Sequence, residues 1–286
     1  MSFGSDPRRQ RPRFAIRLAP ILMGIVAIGM YAMQNCQQGP FGRHQVVALK
    51  PDQEAQLGFQ AFQEVLQDAK VVRQGQDVET VREVARRLTA AANSPHFLQL
   101  TKQKEQQFDW RVEVVDSPEI NAFCLPGGKI VVYTGILPVA ESAAGLATVM
   151  GHEIAHALAH HGAERMAKQQ ILNIGMNAAN GSLGDMSPEA RNSLLSVLNA
   201  GAKYGSLKYD RSHESEADHM GLLLMAAAGF NPEESVHFWE RMKQRTQGQQ
   251  HPPEFASTHP SHETRIADLA SLIPEAMPLY EANRSK

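Results

Sequence analysis

Ala147 to Ala163 reads ATVMGHEIAHALAHHGA, and inside it His152-Glu153-Ile154-Ala155-His156 has the spacing H-E-x-x-H. On a helix, positions i and i+4 leave the same face one turn apart, roughly 40° round the axis. Two neutral imidazoles so placed can share one tetrahedral zinc ion. Glu153 sits on the flank of that face, where it can act on water at the metal rather than bind the metal itself. Ala144, Ala147, Ala155, Ala157, Leu158 and Ala159 are good helix formers, and the first evident break is Gly162. The predicted helix therefore starts near Glu141 and continues past Gly162 into Arg165 and Met166.

A zinc site also needs a third protein ligand, with the fourth position left for water. Ser212 to Asp218, SHESEAD, offers one, because Glu214 and Asp218 are i and i+4 on one face while Glu216 points elsewhere. Glu214 can bind the metal and Asp218 can accept an imidazole N–H. The plain alternative is a solvated acidic helix start facing the helix dipole; the upstream motif weighs against it. His160 continues the His152 and His156 stripe one turn further on, where it packs or hydrogen-bonds outside the ligand set. His161 is expected roughly opposite His152, pointing away, and His213, His219 and His262 are expected in surface or packing roles.

The rest of the chain must position these groups. Its 286 residues, 43% hydrophobic and 20% charged, are enough to bury a core and are not those of a disordered protein. A net charge of −2 gives no electrostatic reason to expect nucleic acid as a partner. Cys36 and Cys124 are too few for a disulfide framework and too far apart for a Cys-type zinc site.

Residues 1–17 form a basic tail with Arg8, Arg9, Arg11, Arg13 and Arg17 against Asp6. The apolar run from Leu18 to Met33 spans roughly 24 Å as a helix, and Phe14 to Ile16 with a snorkelling Arg17 bring it to membrane length. Such a segment is either a cleaved signal peptide or an uncleaved anchor. Tyr31-Ala32-Met33-Gln34-Asn35 is a poor cleavage site, which favours the anchor, taken as residues 18–34. The positive-inside rule then puts everything after Gln34 outside the cytoplasm. The Arg-rich, acid-poor start also fits a mitochondrial transit peptide.

Residues 35–49 are expected to be a linker, and 50–286 one folded domain. Pro51 opens a helix with Leu57, Ala61, Phe62, Val65, Leu66 and Ala69 on one stripe, and a second helix runs from Asp77 to Ala91. Trp110 to Val115 alternates like a strand. Asn121 to Leu125, Gly127-Gly128 and Lys129 to Gly135 read as a hairpin, with Pro126 placing it at a sheet edge. An exposed edge before the metal helix could pair with an extended substrate. Residues 170–206 are expected to be a helical hairpin or flap. Helices follow from Ser212 to Ala228, after Asn231-Pro232 to Arg245, and from Ser261 or His262 to Leu272.

Taken together, His152-Glu153-x-x-His156, Glu214-x-x-x-Asp218, Thr258-His259-Pro260 with Arg265, and the Asn121-Ala122-Phe123 to Pro126-Gly127-Gly128-Lys129 hairpin occur in one order. In that order the chain, from Gln45 to Leu272, resembles the zinc metallopeptidases of the CAAX-prenyl-protease and HtpX type. It is most similar to their single-anchor branch of bacterial periplasmic and mitochondrial inner-membrane proteases. The resemblance implies one Zn²⁺ per chain held by His152, His156 and Glu214. It implies Glu153 as general base and acid, and His259 near the metal as a transition-state stabiliser or removable fourth ligand. Asp218, Arg265 and His160 are then supporting residues, and Asn121, Gly127, Gly128, Lys129, Ile130 and Val131 form the substrate-docking strand.

The expected fold is mainly α with a small edge β-sheet (α+β), a zincin-type domain behind one N-terminal transmembrane helix. The expected activity is endopeptidase cleavage of unfolded or misfolded proteins, on the periplasmic side of a bacterial inner membrane. A cleaved periplasmic form and a mitochondrial inner-membrane location are the alternatives. The rival functions are a zinc-bound, largely latent chaperone or adaptor and a non-peptidase zinc hydrolase.

Overall fold

The computed structural model describes residues 17–183, 187–246, 255, 259 and 264–285. Most of the basic tail, and Thr258, Pro260, Ser261 and His262, lie outside the described residues. The chain divides into two compact units, Met1–Gln34 with Lys168–Ser206 and Asn35–Ala167 with Leu207–Lys286.

In the first unit, α1 (Leu18–Asn35) is long and apolar enough to cross a membrane. It leaves Leu18, Leu22, Met23, Ile25, Val26 and Met30 exposed. It packs on the later turns of α7 (His161–Ser182), where a Cβ at Gly24 would stand 2.4 Å from the Ala178 Cβ. Residues 170–206, expected to be a hairpin or flap, fall largely within α7 and α8 (Pro188–Ala227).

The second unit opens with a correction. Residues 35–49 are not a plain linker, because β1 (Cys36–Gln38) pairs antiparallel with β2 (His44–Val46). The turn between them, where Gly42 has φ 82, ends at Arg43, whose guanidinium is gripped by Glu164 and Glu216. The main sheet has the order β3-β4-β6-β5, built from β3 (Val71–Val72), β4 (Arg111–Val115), β5 (Ala122–Leu125) and β6 (Lys129–Tyr133). β4 lies parallel to β6, and β5 pairs antiparallel with β6 through a turn with Gly127 at φ 75. Gly128 N–H closes that turn on the Leu125 carbonyl, so Pro126 sits in the turn and off both strands.

The sheet shows strand periodicity on both faces. Ala122, Val114, Ile130 and Val132 join the large core with α3 (Gln76–Ala91), the short α4 (Pro95–Thr101) and α5 (Leu137–Ala140), and α6 (Ala143–Leu158), while Val115, Val131 and Phe123 meet Phe62 of α2 (Pro51–Gln67). Of the stripe read on α2, Phe62 is buried and Val65, Leu66 and Ala69 pack beside it, whereas Leu57 is exposed and Glu54 and Gly58 are buried in its stead. A Cβ at Gly58 would fall 1.8 Å from the Pro126 carbonyl oxygen, so this helix presses its backbone onto the hairpin turn.

α6 is capped by Ser142, which accepts from Gly145 N–H at 3.0 Å. It ends earlier than the sequence predicts. His160 adopts φ 57, a left-handed conformation that breaks the helix, and α7 restarts at His161. α8 is longer than expected, so Glu214 lies well inside it and is 3% exposed, which excludes a solvated helix start. Gly229 at φ 78 terminates it, with Phe230 N–H reaching back to the Met225 carbonyl. After α9 (Glu234–Thr246), α10 (Arg265–Asn283) runs beyond the expected Leu272, through Pro274 and Pro278.

α6 and α8 cross almost backbone to backbone. A Cβ at Gly221 would stand 2.8 Å from the His152 nitrogen, and one at Gly151 would stand 3.1 Å from the Gly221 oxygen. Gly221→Ala gains about 1 kcal/mol of helix propensity, but it drives a methyl into backbone that cannot rotate away. A net loss of about 1–3 kcal/mol is expected, checked as a lower denaturant midpoint; an unchanged or higher midpoint would contradict the close crossing.

Candidate active site

α6 delivers His152, Glu153 and His156 to the α8 crossing, where α8 delivers Glu214 and Asp218. His152 Nδ1 lies 2.9 Å from Asp218 Oδ1, which also accepts from Arg265 Nη2 at 2.5 Å. Arg265 is 1% exposed, with its guanidinium 3.5 Å from the centre of the Trp239 ring. Trp239 and Phe255 form an aromatic wall behind His152, each at a ring-centre distance of 6.3 Å.

With Nδ1 donating to Asp218, His152 turns the lone pair of Nε2 inward. It meets His156 Nε2 at 3.1 Å, and each of these nitrogens lies 3.3 Å from a Glu214 oxygen. His259 Nδ1 comes within 3.0 and 3.1 Å of the Glu214 carboxylate and 3.2 Å of His152 Nε2. One donor atom from each of His152, His156, Glu214 and His259 lies within 4.8 Å of all the others. Nitrogen lone pairs and a carboxylate converging at such distances repel one another unless a cation lies between them. This donor set fits a divalent metal with nitrogen and oxygen ligands.

The electrostatics agree. Burial opposes charge on Glu214, yet the facing His152, His156 and His259 hold its carboxyl far below the usual range. Burial likewise opposes a charged Asp218, and Arg265 and His152 outweigh it. His156 is pushed well below the usual imidazole range, chiefly by burial. Glu153 is shifted upward, again chiefly by burial. Its Oε1 is buried with no hydrogen-bond partner among the described residues, while His259 Nε2 stands 3.4 Å away. The Cys124 backbone N–H also reaches Glu153.

His160 hydrogen-bonds Glu54 at 2.8 Å, outside the donor cluster. His161 does not point away: the break at His160 swings its Nδ1 to 2.9 Å from His156 Nδ1. Its Nε2 lies 2.8 Å from Glu216, a residue expected to face elsewhere. His213 is buried against Glu164 at 3.0 Å and is not a surface group, whereas partly exposed His219 pairs with Glu275 at 2.9 Å.

The docking-strand expectation also needs correction. Lys129, Ile130 and Val131 belong to β6, which is paired on both sides and buried, so it has no edge to offer a peptide. Lys129 Nζ instead donates to the Asp109 and Gly127 carbonyls. Asn121 is buried, its carbonyl accepting from Tyr133 N–H, and Gly127-Gly128 shape the turn. The edge strand beside α6 is β5.

Residues 77–273 match the model of peptidase family M48, more than half of the chain. The chain belongs to peptidase family M48. The match contains every residue of the four-donor cluster, with Glu153, Asp218 and Arg265. Mitochondrial metalloendopeptidase OMA1 of Saccharomyces cerevisiae is 36% identical over 181 residues, 60% of this chain and 49% of the relative. Metalloendopeptidase OMA1 of Homo sapiens is 38% identical over 181 residues, 61% of this chain and 34% of the relative. The beta-barrel assembly-enhancing protease of Escherichia coli K12 is 28% identical over 234 residues, 79% of this chain and 45% of the relative. The chain thus spans about half, or less, of the length of these relatives. These similarities are in keeping with the branch of bacterial and mitochondrial proteases that the sequence resembles.

The M48 donor set predicts one divalent ion per chain. Elemental analysis of Glu214→Ala should show that occupancy lost, while Glu54→Ala, whose carboxylate pairs with His160 outside the donor cluster, should keep it. Full occupancy in Glu214→Ala would remove Glu214 from the ligand set.

Proposed function

We propose that this chain is a zinc-dependent endopeptidase, held at a membrane by α1, that cleaves unfolded or misfolded proteins. The observation that carries the proposal is the convergence of His152, His156 and Glu214 beside the buried, unsatisfied carboxylate of Glu153. Their nitrogen and oxygen donors suit zinc, one ion per chain. When bound, the cation supplies Lewis acidity toward the scissile carbonyl and toward water.

The protein's own groups do the rest. Glu153, with Oε1 unengaged, takes a proton from the attacking water and returns it to the leaving amine. Its raised affinity for protons, from burial, makes it a stronger base than an exposed glutamate. Asp218 fixes the tautomer and orientation of His152, and Arg265 fixes Asp218. His259, with Nδ1 turned to Glu214 and Nε2 to Glu153, is read as a removable fourth donor that can also steady charge on the substrate oxygen. A substrate backbone is read as adding to the outer edge of β5, Ala122 to Leu125. This edge reaches the base, because the Cys124 N–H contacts Glu153.

A membrane role rests on the exposed apolar side chains of α1 and on the Arg-rich tail before it. The Escherichia coli relative is named for beta-barrel assembly and the OMA1 relatives as mitochondrial, which supports a bacterial-envelope or a mitochondrial setting for this reading, with protein quality control as the proposed role. A periplasmic-side catalytic unit on a bacterial inner membrane is the location adopted here.

Full-length protein should digest unfolded casein in a chelator-sensitive manner, and zinc should restore the activity. Glu153→Gln should keep its zinc and lose turnover by at least about 100-fold. Equal cleavage by the two proteins would remove Glu153 as the base; zinc binding without cleavage, together with suppressed aggregation, would favour a holding role. On fractionation the protein should stay with membranes through an alkaline carbonate wash. Release into the soluble fraction would oppose the anchor.

A further inference from the structure

His152 has an obvious support in Asp218, but the mechanism so far leaves the outer nitrogen of His156 unaccounted for. His156 uses Nε2 toward Glu214 and His152, so Nδ1 must carry its proton when a metal is bound. The group that meets Nδ1 is His161 Nδ1, at 2.9 Å with the two rings edge to face. His161 Nε2 then faces Glu216 Oε2 at 2.8 Å. Arg43 holds both Glu216 oxygens, through Nε at 2.9 Å and Nη2 at 2.8 Å. The same guanidinium holds Glu164 at 2.7 and 2.9 Å, and Glu164 in turn meets His213, which stacks on His161 at 4.1 Å between ring centres.

Only one order of protons satisfies this chain with a metal in place. His156 Nδ1–H donates to the lone pair of His161 Nδ1, and His161 Nε2–H donates to the Glu216 carboxylate. Reversing it would place a proton on His156 Nε2, aimed at the ligand cluster, and set the bare His161 Nε2 against a carboxylate. A ligating imidazole is generally oriented and made more basic by whatever accepts its second N–H. We infer that His161 and Glu216 are positioning residues for the second metal-ligating histidine, with Arg43 fixing the carboxylate at the end of the chain. His156 is thus supported through an intervening imidazole, whereas Asp218 supports His152 directly. Arg43 belongs to the β1–β2 turn, so a segment well outside the peptidase helices completes the support of a metal ligand.

The inference rests on the metal-centre assignment above, and its test separates the two. Full-length protein in detergent is stripped of metal, and zinc affinity is measured by competition with a chromophoric chelator, beside the unfolding midpoint of each metal-free protein. His161→Phe keeps a ring to stack on His213 and removes both nitrogens. It should weaken zinc binding by about 10–100-fold while the metal-free midpoint stays close to that of the parent. Glu216→Gln, nearly isosteric, should weaken zinc in the same direction. In the cobalt-substituted forms both variants should shift the visible ligand-field bands, a change that loss of packing alone does not produce. Parent-like zinc affinity and cobalt spectra in these variants would overturn the inference and leave the metal centre standing. Failure of the parent to bind zinc would overturn both. If His161→Phe does not fold, Glu216→Gln decides by the same readouts.

Discussion

Everything at the site depends on how closely two helices can approach. Gly151 and Gly221 let α6 and α8 cross with backbone against backbone, and that contact falls next to His152. A side chain at either position would press on the facing backbone and push the helices apart. Glu214, the oxygen partner of His152 and His156, and Asp218, the support of His152, both ride on α8, so this crossing sets the distances within the donor cluster. Helix packing elsewhere serves this crossing. Leu146, Met150 and Ile154 on α6, and Met220 and Leu223 on α8, are fully buried.

The second constraint is charge. Glu153, Glu214 and Asp218 are all nearly buried, and buried carboxylates are costly unless they are paired. Asp218 is paired with Arg265, itself covered by Trp239, and Glu214 by its ring of imidazoles. Glu153 Oε1 is left unmatched. Arg265 Nε is likewise buried without a partner among the described residues, but only the Glu153 atom is a free carboxylate oxygen beside the donor cluster, which suits a group whose partner is a transient water or substrate proton. Behind the site the same economy recurs at Arg43, which binds two carboxylates that would otherwise repel each other.

Legibility in the sequence followed locality. His152, Glu153 and His156 were readable because their relation is set by one turn of helix. Glu214 and Asp218 were readable as a pair for the same reason, and their link to His152 followed from a zinc site's need for a third ligand rather than from any local pattern. His161 was not readable: an imidazole in a left-handed conformation at His160 carries no clear local signal, so a continuous helix sent His161 to the wrong side. The hairpin was legible, and its place in the sheet was not. Pro126 suggested an edge correctly for β5, but the parallel pairing of β4 with β6, which closes off Lys129 to Val131, joins segments that no short-range pattern connects. On α2 the stripe from Phe62 to Ala69 was legible and its N-terminal end was not, since Gly58 faces inward only because a turn far along the chain lies against it.

The donor cluster is assembled from distant parts of the chain: His152 and His259 are 107 residues apart, and His259 and Glu214 are 45 apart. Arg265, which steadies Asp218, comes later still. A polypeptide leaving the ribosome from its N-terminus therefore exposes H-E-x-x-H long before it has a third donor or a buried base. The nascent chain has the motif without the enzyme, and hydrolytic competence is withheld until the last helix has docked.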